Sequence, residues 1–306
     1  MTSSLVGSEM CIRDRYEDVK SDFYENSIYQ SDESKHYRNL FPSLSLKGSV
    51  GKVHWGLGYH IQVARPYYEQ LKNEIHYGNR FTYLGGTPNL QPTYIHTAEM
   101  RAAYRDLQLS VGYNRYNDDI LFSIEQATSD PKITLIKFRN VEHRDEMTAS
   151  LVYSPGIGCW RPEWVASVQS QWFNIGYLDG TKNMNGITVG IRWNNSFQLP
   201  MGYIFRLNGT YTGKGVYQNS FTRPVSCFGV SIYKSFFNGR LDCTVEGNDL
   251  FHTVRDATTQ YDNKVKIYRE TQRNTQEVKL TVHYKFNLQK SKYKGTGAGL
   301  DEQQRL

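Results

Sequence analysis

Hydrophobic and polar residues alternate one by one along much of this chain. Between residues 277 and 286, Val278, Leu280, Val282, Tyr284 and Phe286 fall on one face, and Glu277, Lys279, Thr281, His283 and Lys285 fall on the other. Strict period-2 alternation with charge on one side predicts a strand between an apolar and an aqueous phase. The pattern returns at 52–64, where Val53, Trp55, Leu57, Tyr59, Ile61 and Val63 alternate with His54, Gly56, Gly58, His60 and Gln62. It recurs at 107–113 and 187–193, and Tyr203, Phe205, Leu207 and Tyr211 make another such face.

Short turns test whether these faces coincide, because a slip of one residue sends every side chain to the opposite face. Asn238-Gly239 is a type I′ hairpin signal, and pairing around it sets Phe236 opposite Leu241, Ile232 opposite Val245 and Lys234 opposite Cys243. Gly51-Lys52 sets Val50 opposite Val53, and Arg105-Asp106 sets Tyr104 opposite Leu107. Apolar meets apolar throughout, apart from Lys234. Strands are predicted near 38–49, 52–65, 93–105, 107–127, 132–155, 162–177, 184–197, 202–214, 222–237, 240–253 and 263–286, about eleven in all. Tight connections (50–52, 105–107, 155–162, 197–202, 238–239) interleave with long ones (65–93, 177–184, 214–222, 253–263). Short periplasmic turns and long extracellular loops produce that asymmetry in a membrane barrel. The expected fold is all-β, an antiparallel up-and-down transmembrane barrel of which this chain supplies a C-terminal part.

Composition agrees with that reading. Mean hydropathy is −0.61 over 306 residues, and no stretch approaches the roughly 18 consecutive apolar residues of a spanning helix. The 23 Tyr, 14 Phe and 5 Trp suit strands and interfacial girdles. A net charge of +6 spread along the chain leaves no nucleic-acid footprint. Cys11, Cys159, Cys227 and Cys243 stand without a CxxC pair or a His at ligand spacing, so they are expected to be unpaired. Residues 1–15, MTSSLVGSEMCIRDR, show neither a secretory signal nor a strand period. They resemble translated sequencing-adapter read-through, which makes them a non-native segment. Residues 16–36, rich in Tyr, Asp, Glu, Ser and Lys, read as the remnant of an extracellular loop, 37–289 as the barrel and 290–306 as a polar tail.

Several pieces together resemble the barrel of Bacteroidetes-type TonB-dependent receptors, the outer membrane protein beta-barrel family. They are Leu40-Phe41-Pro42-Ser43, Arg65-Pro66-Tyr67-Tyr68 with Leu71, and Gly86-Thr87-Pro88-Asn89-Leu90 with Pro92. Later come Tyr233-Lys234-Ser235-Phe236, Asn248-Asp249-Leu250-Phe251 and Tyr284-Lys285-Phe286. The family's loop motif resembles Gly-Asn-Pro-any-Leu, and Thr87 stands in its Asn position. Arg65, Pro66, Gly86, Pro88, Leu90, Asn248, Asp249 and Phe251 are thereby structural motif positions. The resemblance implies import of a nutrient (a glycan, peptide or metal chelate) by a parent receptor with a signal peptide, a plug and a TonB-contacting segment. The implied partners are outer-membrane lipid, the barrel-assembly machinery, the TonB complex through the plug, and a surface lipoprotein. The other class open is a non-transporting barrel or surface-binding module.

Candidate chemistry narrows further. His54 and His60 share a face but stand six residues apart, about 20 Å along a strand, too far for joint ligation. Asp118, Asp119, Glu125, Asp145 and Glu146 lie near strand ends and read as solvated extracellular edges rather than as acid-base pairs. No nucleophile has a recognisable base, so no enzyme activity, cofactor or metal is expected. Within the long loop 65–92, Tyr67, Tyr68, Tyr77, Phe81 and Tyr83 are the candidates for substrate contact, with packing against the barrel rim as the competing role. Val278, Leu280, Val282, Tyr284 and Phe286 are expected to face lipid.

Overall fold

The computed structural model describes residues 9–286 except 26, 128, 129 and 131. In chain order the first strands are β1 (Glu9–Glu25), β2 (Ile28–Val50) and β3 (Val53–Ala64), then helix α1 (Tyr68–Leu71), β4 (Ile75–Asn79) and β5 (Thr82–Gly85). Next come β6 (Thr93–Tyr104), β7 (Leu107–Gln126), β8 (Thr134–Tyr153), β9 (Trp160–Trp172), β10 (Asn174–Tyr177) and β11 (Gly180–Asn183). The chain continues through β12 (Gly186–Leu199), β13 (Tyr203–Thr212), β14 (Gly215–Tyr217) and β15 (Ser220–Thr222). It ends with β16 (Val225–Phe236), β17 (Leu241–Asn248), β18 (Arg255–Asp262), β19 (Val265–Gln272) and β20 (Glu277–Tyr284).

Twelve of these strands form one antiparallel wall in the order β1-β2-β3-β6-β7-β8-β9-β12-β13-β16-β17-β20. The three hairpin registers read from the turns are the observed ones: Phe236 pairs with Leu241, Val50 with Val53, and Tyr104 with Leu107. The wall is an open curved sheet. Among the described residues, β1 pairs only with β2, and β20 only with β17.

Three expectations need correction. Residues 16–36, expected as the remnant of a loop, form the distal half of the β1–β2 hairpin, which is paired from Glu9↔Lys47 to Glu25↔Ile28. Within 16–36 both faces are mostly polar, so no hydrophobic period announced it. Consequently the segment 38–49 belongs to the second wall strand, and the count is twelve rather than eleven. The predicted strand 263–286 is two elements, because Val265–Gln272 turns back on β18 in a separate four-stranded sheet, β14-β15-β18-β19. Only Glu277–Tyr284 enters the wall. The tail 290–306 lies outside the described residues.

Registers make the two faces continuous across strands. One row runs from Met10 through Leu46, Leu57, Met100, Val111, Ala149 and Val168 to Val189. The row beside it on the opposite face is Lys47, Gly56, Arg101, Ser110, Ser150, Ser167, Gly190 and Thr212. Leu57, Met100, Leu151, Val168, Val189, Ile191, Val245 and Leu280 are all exposed. An apolar area of that extent facing water would aggregate; facing acyl chains it is at rest. On β8 the apolar face extends from Tyr153 through Leu151 and Ala149 to Met147 and gives way to charge at Asp145.

At the tight-turn end the apolar face closes in a belt of rings. Tyr153 and Trp164 stand 6.2 Å apart, Trp164 and Trp160 5.9 Å, Trp160 and Phe197 6.2 Å, and Phe197 and Phe205 6.2 Å. Such a girdle marks the headgroup level of a barrel. Trp193 lies across Gly209, where a Cβ would stand 2.2 Å from its ring. No helix among the described residues is long and apolar enough to cross a membrane, and the crossing is made by strands.

Candidate functional site

Every long connection leaves the wall at the end opposite the girdle, which the loop-length rule makes extracellular. The loop 65–92 is held at both ends. Arg65 Nη2 donates to Glu17 Oε2 at 2.6 Å, tying the exit of β3 to β1, with Pro66 directing the chain outward. Tyr67 N donates to Gln70 Oε1 at 2.8 Å, which starts the single turn of α1. The chain then passes so close to itself that a Cβ at Gly86 would stand 2.2 Å from the Lys72 carbonyl oxygen, so only glycine fits.

Beyond Gly86 the motif residues become a strap. Thr87 donates from its backbone N to Gln70 O (2.6 Å) and from Oγ1 to Phe138 O (2.7 Å). The hydroxyl of Thr87 thereby bridges the loop to β8. Pro88 is half-buried and Leu90 is fully buried. Asn140 then exchanges bonds with the Gln91 backbone, at 2.8 and 2.9 Å. Thus Thr87 and Gln91 fasten the strap to β8.

The aromatic candidates do not form one cluster. Tyr67 and Tyr68 are 77% and 85% exposed at α1. Tyr77 and Tyr83 face each other across the β4–β5 hairpin with centroids 5.8 Å apart, and Phe81 stands exposed at its turn with Arg80 over its ring. β5 adds in parallel to the top of β8 at Thr82↔Thr134, which keeps this second group on the outer rim.

The turn that follows β17 is held by side-chain bonds. Asp249, at φ +45° and fully buried, accepts from Thr253 N at 2.9 Å and from Thr275 Oγ1 at 2.6 Å. Burial acts to raise its carboxyl, but the Thr275, Thr253 and Val254 donors outweigh this and hold it below the ordinary carboxylate value. Asn248 donates to Glu277 Oε1 at 3.0 Å, and Phe251 packs its ring 5.5 Å from Phe228. Together they turn the chain from β17 into the loop sheet. At the other end of β20, Lys285 donates to Asp242 Oδ2 at 3.0 Å and Phe286 stacks edge-on against Tyr284. Val278, Leu280, Val282 and Tyr284 are exposed on the apolar face.

Sequence reasoning missed the buried polar residues. At Asp118, φ is +54°, and the alternation of β7 changes phase: Asp119, Leu121 and Ser123 are buried while Phe122 points out against Phe138. The inversion brings Asp119 Oδ2 to 2.6 Å from Arg144 Nε, and Glu146 Oε2 accepts from Arg144 Nη1 at 2.9 Å. Tyr116 covers the guanidinium at 3.9 Å, and Gln169 donates to Glu146 at 3.1 Å. Arg144 is 3% exposed. Asp119 and Glu146 are therefore not solvated edges as the sequence suggested; a left-handed residue turned one inward.

Around that cluster the loops fold over the concave side. Leu121, Phe173, Ile175, Met184 and Val216 form a buried core drawn from the wall and two loops, with Tyr261 of a third loop packed against it. The 262–264 turn locks it. Asp262, completely buried, accepts from Ile124 N at 2.7 Å and Arg139 Nη2 at 2.5 Å. Burial pushes its carboxyl above the usual range, and the Arg139 charge opposes this. Asn263 N donates to Gly176 O of β10 at 3.0 Å, and Asn263 O accepts from Leu178 N at 2.6 Å. Below this cap, on the polar face, a cavity of about 550 Å³ is lined by residues including Lys47, His54, Arg101, Gln108 and Ser150. The arrangement suits a polar lumen roofed by ordered loops.

A family model described as "outer membrane protein beta-barrel family" matches residues 14–284. No curated protein matches the sequence significantly. Among solved structures, the siderophore receptor PirA from Pseudomonas aeruginosa aligns with TM-score 0.52 and 15% identity, over 78% of this chain and 44% of that one. The siderophore receptor PirA from Acinetobacter baumannii gives 0.52 and 12%, over 82% and 40%. The copper transporter OprC gives 0.57 and 12%, over 90% and 44%. At these identities the likeness is one of fold. The chain spans less than half the length of each of these proteins.

Proposed function

The chain belongs to the outer membrane protein beta-barrel family, and from that premise we propose that it forms part of the wall and loops of a TonB-dependent receptor importing a nutrient. It resides in the outer membrane. The observation that carries the reading is the pairing of an apolar outer face with a polar inner one roofed by folded loops, the form of a plugged transporter barrel. The neighbours in fold are named as siderophore receptors and a copper transporter, which supports import without naming this chain's substrate. In hydrocarbon an unpaired backbone group costs several kcal/mol, so the outer edges of β1 and β20 need partner strands, and closure by further strands is part of the proposal. Energy coupling through a plug and TonB, and capture by a surface lipoprotein, belong to the same reading.

Tyr67 and Tyr68 are the proposed substrate contacts, since they are the most exposed rings of the loop 65–92. Growth of a gene-deletion strain on a panel of single carbon, nitrogen and iron sources identifies the substrate by the source on which growth is lost. Restoring the gene with Tyr67→Ala and Tyr68→Ala should then raise the half-saturating concentration for uptake roughly tenfold, the loss of about 1.4 kcal/mol. Growth unchanged on every source, or uptake indifferent to collapse of the inner-membrane proton gradient, contradicts energised import and favours a surface-binding barrel.

A further inference from the structure

Lys182 lies inside a box of three aromatic rings that come from three separate loops. Its Nζ stands 4.1 Å from the centroid of Tyr261, 5.6 Å from Phe221 and 5.8 Å from Tyr177. Tyr177 and Phe221 stand upright on Tyr261, at 87° and 88° with centroids 5.2 and 5.7 Å away. One ring is therefore a floor and two are walls, and the space they enclose holds a positive charge against π faces. Among the described residues no carboxylate forms an ion pair with Lys182, so its ammonium is held by the rings.

Two of the three rings are anchored, while the occupant is a long side chain on the same hairpin as Tyr177. Tyr261 and Phe221 pack on the buried core of Leu121, Phe173, Ile175, Met184 and Val216. Lys182 instead sits on the four-residue strand β11, whose hydrogen-bonded partner strand is β10 alone. A preorganised cage costs nothing to assemble when a ligand arrives, and a half-exposed lysine on a short hairpin can withdraw into water and regain its rotamer freedom. These loops lie on the extracellular side, within reach of solutes.

We propose that Tyr177, Phe221 and Tyr261 form a binding site for an organic ammonium group, which Lys182 fills until a ligand's ammonium replaces it. The intramolecular lysine acts as a competitor: a ligand's apparent affinity is its intrinsic affinity reduced by the fraction of molecules whose box is empty. Removing the lysine charge must therefore tighten binding, the reverse of what deletion of an ordinary contact does.

The test is a titration of the full chain, folded in the outer membrane, with choline and with its uncharged analogue 3,3-dimethyl-1-butanol, read by saturation-transfer NMR of the ligand methyls. Lys182→Met should bind choline roughly tenfold more tightly than the unaltered protein, for a box self-occupied about nine-tenths of the time, and the uncharged analogue should give no signal. Tyr261→Phe should keep that affinity and Tyr261→Leu lose it, with Phe221→Leu standing in if the former does not fold. Equal choline affinity with and without the Lys182 charge, or an uncharged analogue that binds as well as choline, overturns the proposal and leaves the rings as packing.

Discussion

Leu280→Arg and Leu151→Arg are expected to remove most of the folded protein from the outer membrane, whereas Thr281→Arg is expected to leave it nearly intact. Leu280 and Leu151 stand exposed on the apolar face, paired with Val245 on one side and flanked by Leu109 and Ala166 on the other. Thr281, one residue from Leu280, lies opposite Thr244 on the polar face. An arginine at mid-bilayer on the lipid face costs about 2–4 kcal/mol, while a lumen position tolerates it. The amount of heat-modifiable protein recovered from outer membranes reads the difference. Equal recovery of all three variants removes the face assignment.

The second large effect is expected at Arg144. Arg144→Met leaves the Asp119 and Glu146 carboxylates buried without their cation, and breaking a buried pair in this way costs about 3–5 kcal/mol. The urea midpoint of the folded protein should fall accordingly. Adding Asp119→Asn and Glu146→Gln removes the stranded charges, so the triple variant should recover more than half of the loss. If Arg144→Met alone lowers stability by no more than about 1 kcal/mol, the value of an exposed pair, the cluster is hydrated and its burial has been misread.

What was legible in the sequence is what a period can carry. Phe236, Leu241, Val50, Val53, Tyr104 and Leu107 announced three registers because each lies beside a short turn, where pairing partners are fixed by counting. The same counting separated the long loops from the tight turns. The upper part of the β1–β2 hairpin was illegible because Val19 and Tyr37 are isolated among Asp18, Lys20, His36 and Arg38, too few apolar positions to set up a period. The Arg144 cluster was hidden by a single backbone event, the left-handed Asp118, after which Asp119, Leu121 and Ser123 turn inward against the earlier parity. Lys182 and its rings lie 39 to 84 positions from one another, apart from Tyr177; only the docking of three loops on one core brings them together. For the loop 65–92, the aromatics were visible as a composition but their split between α1 and the β4–β5 hairpin was not.

The central claim is that one face of this wall touches lipid and the other water, and a spin-label scan of β8 tests it most directly. Cys11, Cys159, Cys227 and Cys243 are all free, so they are first replaced by serine, and a nitroxide is placed in turn at positions 147 to 152. Collision with oxygen, which concentrates in acyl chains, is compared with collision with a water-soluble nickel chelate. Nitroxides at 147, 149 and 151 should collide mainly with oxygen and those at 148, 150 and 152 mainly with nickel, alternating at every step. A profile without that two-residue period, or one in which 148, 150 and 152 are the oxygen-exposed positions, contradicts the account.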